Sequence, residues 1–244
     1  MKRWKGALVA LASLAFVTNS RMMGAFLGLL FPDIAEPLYP LASPLALFSQ
    51  HAALAIGASL VAAVIGFLAG VVANFNRGTL RELVLSVGAF AQTVPPVAVL
   101  ALLVPVLGFG TRPVMLALIL YGILPVIHGT AAGLASVPPD ALDAAKGLGM
   151  GAATRFLRIE LPLALPAIAA GIRTSVVINV GTAAIGATMG AGGFGRPIMA
   201  GLVQFRTSYV VQGALSAATM AIALDWILAE LERWLSLGDS GTAE

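Results

Sequence analysis

The chain has 244 residues, of which 59% are hydrophobic and only 10% are charged. A soluble domain is typically about 45–50% apolar and about 25% charged. No water-soluble core at this length buries so much apolar surface, so the composition excludes an ordinary soluble domain and predicts a lipid environment. The absence of cysteine excludes disulfides and thiolate metal sites. The net charge of +3 comes from basic residues in short loops, which favours membrane orientation over nucleic-acid binding.

We expect six segments to cross the membrane, because each approaches the ~20 apolar residues that a spanning helix needs. In chain order they are residues 6–19, 51–73, 83–107, 113–134, 163–189 and 210–231. Prolines inside them are compatible with spanning helices, because neighbouring helices can satisfy the freed backbone groups. The expected fold class is an all-α integral membrane protein with about six transmembrane helices.

The first of these segments has two interpretations. Lys2, Arg3 and Lys5 before a short apolar run resemble a secretory signal peptide, but no small-residue cleavage pattern follows the run. An uncleaved membrane anchor is therefore favoured. Residues 21–50 contain four prolines and are expected to form an irregular outer segment with a short interfacial helix at residues 22–30.

The distribution of lysine and arginine predicts the orientation, because these residues prefer short cytoplasmic loops. With the N-terminus inside the cell, nine of the 14 fall in cytoplasmic loops and four in outer loops, and Arg173 lies within the fifth span. The nine are Lys2, Arg3, Lys5, Arg77, Arg81, Lys146, Arg155, Arg158 and Arg233, and the four are Arg21, Arg112, Arg196 and Arg206. Both termini are therefore expected on the cytoplasmic side of the membrane.

A charged, glycine-rich segment, DAAKGLGMGAATRFLRIELP (residues 143–162), separates the fourth and fifth spans. Pro138 and Pro139 end the fourth helix, because proline cannot continue a helix and restricts the residue before it. Asp140 is then expected to cap a short helix over residues 141–146.

Two glycines should divide the same segment into a helix–turn–helix. Gly147 and Gly149 end the first short helix, and Gly149 is required either by a positive φ or by close approach of a partner's backbone. A second short helix is expected over residues 154–159, and Pro162 should mark the start of the fifth span. Arg155 is expected mainly to fix orientation, as a basic residue of a cytoplasmic loop.

Seven residues of this segment resemble the EAA loop found in permease subunits of ABC importers: Asp143, Ala144, Ala145, Gly149, Ile159, Leu161 and Pro162. The family pattern is E-A-A, three residues, G, nine residues, I, one residue and L-P, and every spacing matches. With residue frequencies like those of this chain, the chance of such a match is at most about one in a million per start position. Asp143 stands where the family has glutamate, which keeps the charge and shortens the side chain by one methylene. An ordinary basic loop would explain the cations of this segment but not the pattern.

The resemblance extends over about residues 51–233 and is greatest to osmoprotectant permeases, the YehW-type subfamily in particular. It implies the transmembrane domain of a type I, MetI-like ABC importer at residues 49–232, after an anchor and outer segment at 1–48 and before a cytoplasmic tail at 233–244. It also implies a place in a bacterial inner membrane and import of osmoprotectants such as glycine betaine or choline. The implied partners are ABC ATPase subunits that use ATP, a second permease subunit of the same or a related chain, and a periplasmic substrate-binding protein.

Two other functions remain open. A permease of the same fold could carry another small solute, such as an amino acid. A secondary transporter or channel would need no ATPase, and the EAA-like loop argues against it. Quaternary ammonium groups are recognised by aromatic faces, and aromatic residues make up only 7% of this chain, so solute selection is expected to lie in the binding protein.

The residues supply no nucleotide site or enzyme centre of their own. The nearest approach to a P-loop, GTAAIGAT at residues 181–188, has Ala187 where the phosphate-binding lysine is needed. His51 and His128 lie at opposite ends of different spans without a neighbouring serine or carboxylate pair. We therefore expect no catalytic residue, metal ligand or bound cofactor in this chain, and ATP hydrolysis in a separate subunit.

Polar residues inside spans usually line a cavity or pair with each other, because leaving them in lipid is costly. Gln92 and Thr93 are the favoured pathway residues, since Pro95 and Pro96 free backbone carbonyls beside them. Asn179 is a further candidate, and an interhelical hydrogen bond is the alternative for each.

Arg173 and Asp225 are two charged residues expected inside spans. They are expected either to pair between helices or to extend their charged groups toward the inner face of the membrane.

Overall fold

The computed structural model describes residues 3–75 and 78–237, and all regular structure in those residues is helical. The elements in chain order are α1 (Arg3–Thr18), α2 (Ser20–Leu30), α3 (Pro44–Phe75), α4 (Thr79–Thr93), α5 (Pro96–Leu107), α6 (Thr111–Ala135), α7 (Pro139–Gly147), α8 (Ala152–Arg155), a π turn (Phe156–Glu160), α9 (Leu161–Ala183), a 3₁₀ turn (Ala184–Met189), α10 (Gly195–Val203) and α11 (Thr207–Leu237). The expected all-helical membrane fold is confirmed.

Four helical stretches are long and apolar enough to cross a membrane: Pro44–Phe75, Thr111–Ala135, Ala152–Met189 and Thr207–Arg233. A fifth crossing results if α1 and α2, which bend by 79° at their junction, count as one span. Six crossings were expected, so the count of unbroken spans differs. The physical reason is the Val94–Pro95–Pro96 break, which divides the expected third span into two short helices.

The α4–α5 segment nevertheless returns the chain along the length of a span. Helices α3 and α6 run in the same direction, because Gly57 faces Met115 near one end and Gly70 faces Thr130 near the other. Two successive helices can be parallel only if the chain between them runs back. Helices α4 and α5 together therefore form one broken return segment.

Small residues let α9 pack closely against α6. A Cβ added to Gly129 would lie 2.6 Å from the Ala167 carbonyl oxygen, and one added to Gly133 would lie 2.8 Å from the Ala164 carbonyl oxygen. Neither position can hold a side chain without a shift of backbone. Such contacts are typical of membrane helices. In lipid the hydrophobic effect does not drive helices together, and small residues allow the close van der Waals packing that does.

The bundle has two ends, which we name after the short helices found there. The α7 end holds the last turns of α3 and α6 and the start of α9, and the α10 end holds the opposite termini. Helix α1 runs antiparallel to α11, because Gly6 faces Trp226 while Val17 packs with Val211. The described residues nearest both chain termini therefore lie toward the α7 end.

The segment expected to be irregular is shorter than anticipated. Helix α2 occupies Ser20–Leu30, where a short helix was expected, and residues 31–43 form no regular helix. Helix α3 already begins at Pro44, because proline fits the first turn of a helix without loss of a hydrogen bond. Lys2, Arg77 and residues 238–244 of the expected tail lie outside the described residues.

Candidate functional site

Helix α7 (Pro139–Gly147) begins two residues earlier than expected. The expected capping by Asp140 is wrong: Pro138 occupies the cap position, Pro139 is the first helical residue, and no side chain caps the helix. Proline suits this position because its missing N–H would have no intrahelical partner. Asp140 instead lies in the first turn and Lys146 in the last, where their charges complement the helix dipole.

Gly149 ends α7 with a positive φ of 75°. The Met150 N–H donates to the Ala145 carbonyl and the Gly149 N–H donates to the Lys146 carbonyl, the pair of hydrogen bonds that defines a Schellman motif. A Cβ added to Gly149 would meet nothing within 4 Å. Of the two expected reasons for glycine, the structure therefore supplies the positive φ, and the space around the residue is open.

The second half of the segment is not a separate short helix. Residues Ala152–Met189 form one helical stretch of 38 residues, with the π turn at Phe156–Glu160. Pro162 lies in the first turn of α9, at the expected start of the fifth span, but the helical stretch continues through it without a break. The helix passes through the proline because the π turn shifts the hydrogen-bonding pattern just before it.

Four of the seven residues in the EAA-like pattern line one groove between α7 and the π turn: Ala144, Ala145, Ile159 and Pro162. Five further residues complete its wall: Ala141, Leu148, Met150, Arg158 and Leu163. The groove has a volume of about 360 Å³ and is mostly apolar. We call it the α7 groove.

The other three residues of the pattern lie around this groove. Asp143 is exposed, and its carboxylate accepts a hydrogen bond from Lys146 Nζ at 2.8 Å. That hydrogen bond and the lysine charge lower the pKa of Asp143. Leu161 packs on the cluster of Leu134, Ala164 and Ile168. Leu161 thus anchors the groove to the spans.

A buried ion pair beside the α7 groove was not predicted from the sequence. Arg155 Nε lies 2.9 Å from Glu160 Oε1, and Glu160 is only 7% exposed. The expectation that Arg155 mainly fixes orientation is therefore incomplete. The sequence feature that could have indicated the pair is the five-residue separation of Arg155 and Glu160. Side chains at this separation lie on the same face of the helix across a π turn.

The favoured pathway residues lie at the break between α4 and α5. Gln92, Thr93 and Pro95 are exposed and Pro96 is half-buried. Gln92 Nε2 donates a hydrogen bond to the backbone carbonyl of Tyr121 at 3.1 Å. This region thus combines exposed polar groups with a proline break, as the sequence indicated, and its role in transport stays a prediction.

Asn179 lies apart from that break. It is fully buried, and its Nδ2 donates to Ser59 Oγ at 2.9 Å, which links α9 to α3. Its position matches the interhelical hydrogen bond that was the alternative to pathway lining.

The two histidines also lie apart from each other. His51 is buried, with Nε2 2.9 Å from the Val180 carbonyl oxygen, and its Nδ1 accepts from the Phe194 N–H at 3.3 Å. His128 is exposed on α6. Among residues 3–75 and 78–237, no three histidine or acidic side chains gather as metal ligands would.

The helical bundle with an EAA-like groove at one end defines an importer permease, and the family comparison agrees. Residues 62–237 match the family described as "Binding-protein-dependent transport system inner membrane component". The chain belongs to this family, whose members are permease subunits of ABC importers.

Named relatives cover most of the chain. The choline transport system permease protein OpuBD of Bacillus subtilis is 40% identical over 78% of this chain and 84% of its own length. The glycine betaine/carnitine/choline transport system permease protein OpuCB of the same organism is 35% identical over 72% of this chain and 82% of its own length.

A solved structure shares the fold. The inward-facing MetNI methionine ABC transporter contains a chain that superimposes with a TM-score of 0.68 at 18% identity, over 77% of this chain and 93% of that one. The expected type I, MetI-like fold is therefore confirmed.

Proposed function

We propose that this chain is the inner-membrane permease subunit of an ATP-driven importer for osmoprotectants such as glycine betaine or choline. The observation that carries the ATP-driven part is the α7 groove, where four residues of the EAA-like pattern meet. The substrate class is supported by the relatives that are named for choline, glycine betaine and carnitine transport.

The ATPase subunit is proposed to dock on α7. Ala144 is exposed at the groove, and its small side chain would let a partner's backbone approach closely. Leu148, which is 78% exposed, offers apolar area that gains stability when a partner covers it. The Schellman end holds Gly149 and Met150 in a fixed turn, so α7 would move as a unit when the partner moves.

ATP is assigned to that partner and not to this chain. Residues 181–188 lack the lysine of a P-loop, and they lie in the end of α9 and the 3₁₀ turn rather than in a nucleotide-binding loop. The importer would then contain two permease subunits, two ATPase subunits and a periplasmic binding protein that delivers the solute. We assign no catalytic residue, metal or cofactor to this chain.

The α7 end is proposed to face the cytoplasm. Arg81, Lys146, Arg155 and Arg158 lie at this end, and basic loop residues prefer the cytoplasmic side. The anchor at 1–48 and the tail at 233–244 would then begin and end in the cytoplasm.

The solute path is proposed to pass the α4–α5 break. Gln92 and Thr93 would offer polar groups to the solute, and Pro95 and Pro96 would hold the break open. Asn179 is assigned to helix packing instead, on the strength of its hydrogen bond to Ser59.

Docking can be tested with two variants, in each of which one alanine is replaced by arginine. Ala144→Arg places a long charged side chain in the α7 groove and should abolish co-purification of the ATPase subunit. Ala153→Arg makes the same change at an exposed position of α8 that does not line the groove, so it should leave co-purification intact. Equal co-purification of the two variants would refute docking in the groove.

The substrate class is tested by uptake in membrane vesicles containing the whole importer. Radiolabelled choline or glycine betaine should accumulate in an ATP-dependent manner, and other quaternary amines should compete. Uptake of an amino acid without competition by these amines would favour the alternative permease, and uptake that survives inactivation of the ATPase would favour a secondary transporter.

A further inference from the structure

The π turn Phe156–Glu160 is a local departure from α-helical geometry in the long helix that leaves the α7 groove. The Leu161 N–H donates to the carbonyl of Phe156, five residues back, whereas an α-helix bonds four residues back. Pro162 follows directly, and a proline ring clashes with the carbonyl four residues before it in a regular α-helix. The turn thus lies where the proline would strain the helix, and π turns of this kind recur at functional sites.

The π turn brings Arg155 and Glu160 onto one face of the helix. Arg155 Nε lies 2.9 Å from Glu160 Oε1 although five residues separate their positions. In an α-helix, five residues rotate the chain by roughly 140° beyond a full turn, so the two side chains would point to different faces. The ion pair therefore depends on the π form of the turn.

Burial makes this pair different from the surface pair beside it. The side chain of Glu160 is 9% exposed and that of Arg155 is 22% exposed, whereas those of Lys146 and Asp143 are 57% and 72% exposed. Exposed pairs contribute little, but removing one partner of a buried pair leaves an uncompensated charge. The Arg155–Glu160 pair therefore favours the π form over the α form.

Helix α7 rests on this turn and has free space on its other side. Ile159 of the turn lines the α7 groove. A cavity of about 680 Å³ is bordered by Leu142 and Lys146 of α7 and by Arg155 and Glu160. A displaced α7 could move into that space, and its contact with the groove wall would carry the displacement to the π turn.

We propose that the Arg155–Glu160 pair is a latch that holds the π turn, and that movement of α7 by the ATPase subunit opens it. Opening converts the turn to α-helix, which removes one residue from the turn and rotates α8 by roughly 100° about the axis of α9. Arg155 and Glu160 are positioning residues in this scheme. The inference rests on the proposed docking of the ATPase at the α7 groove.

A cysteine pair tests the latch, because the chain has no native cysteine. Arg155→Cys with Glu160→Cys removes the ion pair and places two thiols at its positions, which should form a disulfide while the turn is in the π form. The disulfide should be absent from the α form. In an α-helix, Cα atoms five residues apart are already separated by about 7.5 Å along the helix axis, and a disulfide needs Cα atoms within about 7 Å. Ala141→Cys with Lys146→Cys has the same spacing within α7 and should not cross-link.

The test is made in the assembled importer with its ATPase subunits. Disulfide yield should fall about threefold or more when a non-hydrolysable ATP analogue is bound, if the nucleotide shifts the population away from the π form. Oxidation of the pair should lower uptake per ATP hydrolysed about tenfold, because it blocks a conformational step, and reductant should restore it.

Charge reversal gives a second measurement. Arg155→Glu with Glu160→Arg should retain coupled uptake, while each single reversal should lower uptake per ATP hydrolysed. A role in folding alone would change the amount of protein but not that ratio. The latch is refuted if the oxidised importer transports like the reduced one, or if the yield is the same with and without the analogue. Docking is judged separately by co-purification of the Ala144→Arg variant, so the latch can fail while docking stands.

Discussion

Arg173 on α9 forms an ion pair with Asp225 on α11, with Nε 2.6 Å from Oδ1. The same guanidinium also pairs with Glu232, which lies about two helical turns beyond Asp225 on α11, with Nη1 3.1 Å from Oε2. The sequence left open whether Arg173 pairs between helices or extends to the membrane face, and the structure shows pairing. A cation inside a span is costly without such partners, so this cluster fastens α9 to α11.

Asp225→Ala should therefore destabilise the bundle. The side chains are about one-third exposed, so the expected loss lies between those of surface and buried pairs, about 1–3 kcal/mol. Thermal unfolding in detergent measures it. Arg233→Ala removes an exposed pair with Glu230 and should cost much less. Equal melting temperatures for the Asp225 variant and the natural chain would contradict a fastening role.

Gly149 should tolerate alanine less well than Gly151. A Cβ at either position would meet nothing within 4 Å, but only Gly149 has a positive φ, since φ of Gly151 is −63°. Gly149→Ala should cost about 1–2 kcal/mol from the left-handed conformation, and Gly151→Ala should be nearly neutral. The two are compared by thermal unfolding and by co-purification with the ATPase.

The bulkier variant Gly149→Trp extends this comparison to function. It lies outside the spans, so membrane insertion should be normal, but the ring should obstruct the approach of a docked partner. We expect ATPase docking to weaken or hydrolysis to proceed without uptake. Normal transport by Gly149→Trp at normal expression would show that this end of α7 does not couple ATP hydrolysis to transport.

Single cysteines should report the orientation of the two ends. Ala152→Cys lies at the α7 end, and Ser43→Cys and Gln204→Cys lie at the α10 end, all at exposed positions. An impermeant thiol reagent applied to the periplasmic side should label the latter two and not Ala152→Cys. Labelling of Ala152→Cys from that side would reverse the proposed orientation.

The sequence predicted the parts of this fold that depend on long apolar runs and on individual glycine and proline residues. Helix α6 was expected at residues 113–134 and occupies Thr111–Ala135, because its limits are set by glycine and proline on both sides. The positive φ of Gly149 was one of the two reasons for glycine that the sequence left open, since only glycine adopts it without strain.

The rest required knowledge of contacts between helices. Pro95 and Pro96 were visible in the sequence, but whether a proline bends a span or divides it depends on what its neighbours support. The π turn before Pro162 is favoured by relief of a backbone clash and by a buried ion pair. Neither can be predicted from the apolar periodicity of the segment. The burial of Asn179 depends on Ser59, which is 120 residues away along the chain.

Close packing of α6 on α9 gives the last prediction. A Cβ on Gly129 would lie 2.6 Å from the Ala167 carbonyl oxygen and 2.9 Å from the Gly171 Cα, so the two helices must move apart to admit even one methyl group. Overpacking of this kind costs about 1–3 kcal/mol, and Gly129→Ala should lower thermal stability in detergent by that amount.

Gly181 provides the matched control on the partner helix. It lies in α9 with nothing within 4 Å of an added Cβ, and alanine is the better helix former by about 1 kcal/mol. Gly181→Ala should therefore be neutral or slightly stabilising in the same unfolding experiment. If Gly129→Ala proves as stable as Gly181→Ala, α6 and α9 do not pack at the backbone distance described, and the base on which the α7 groove is built would need revision.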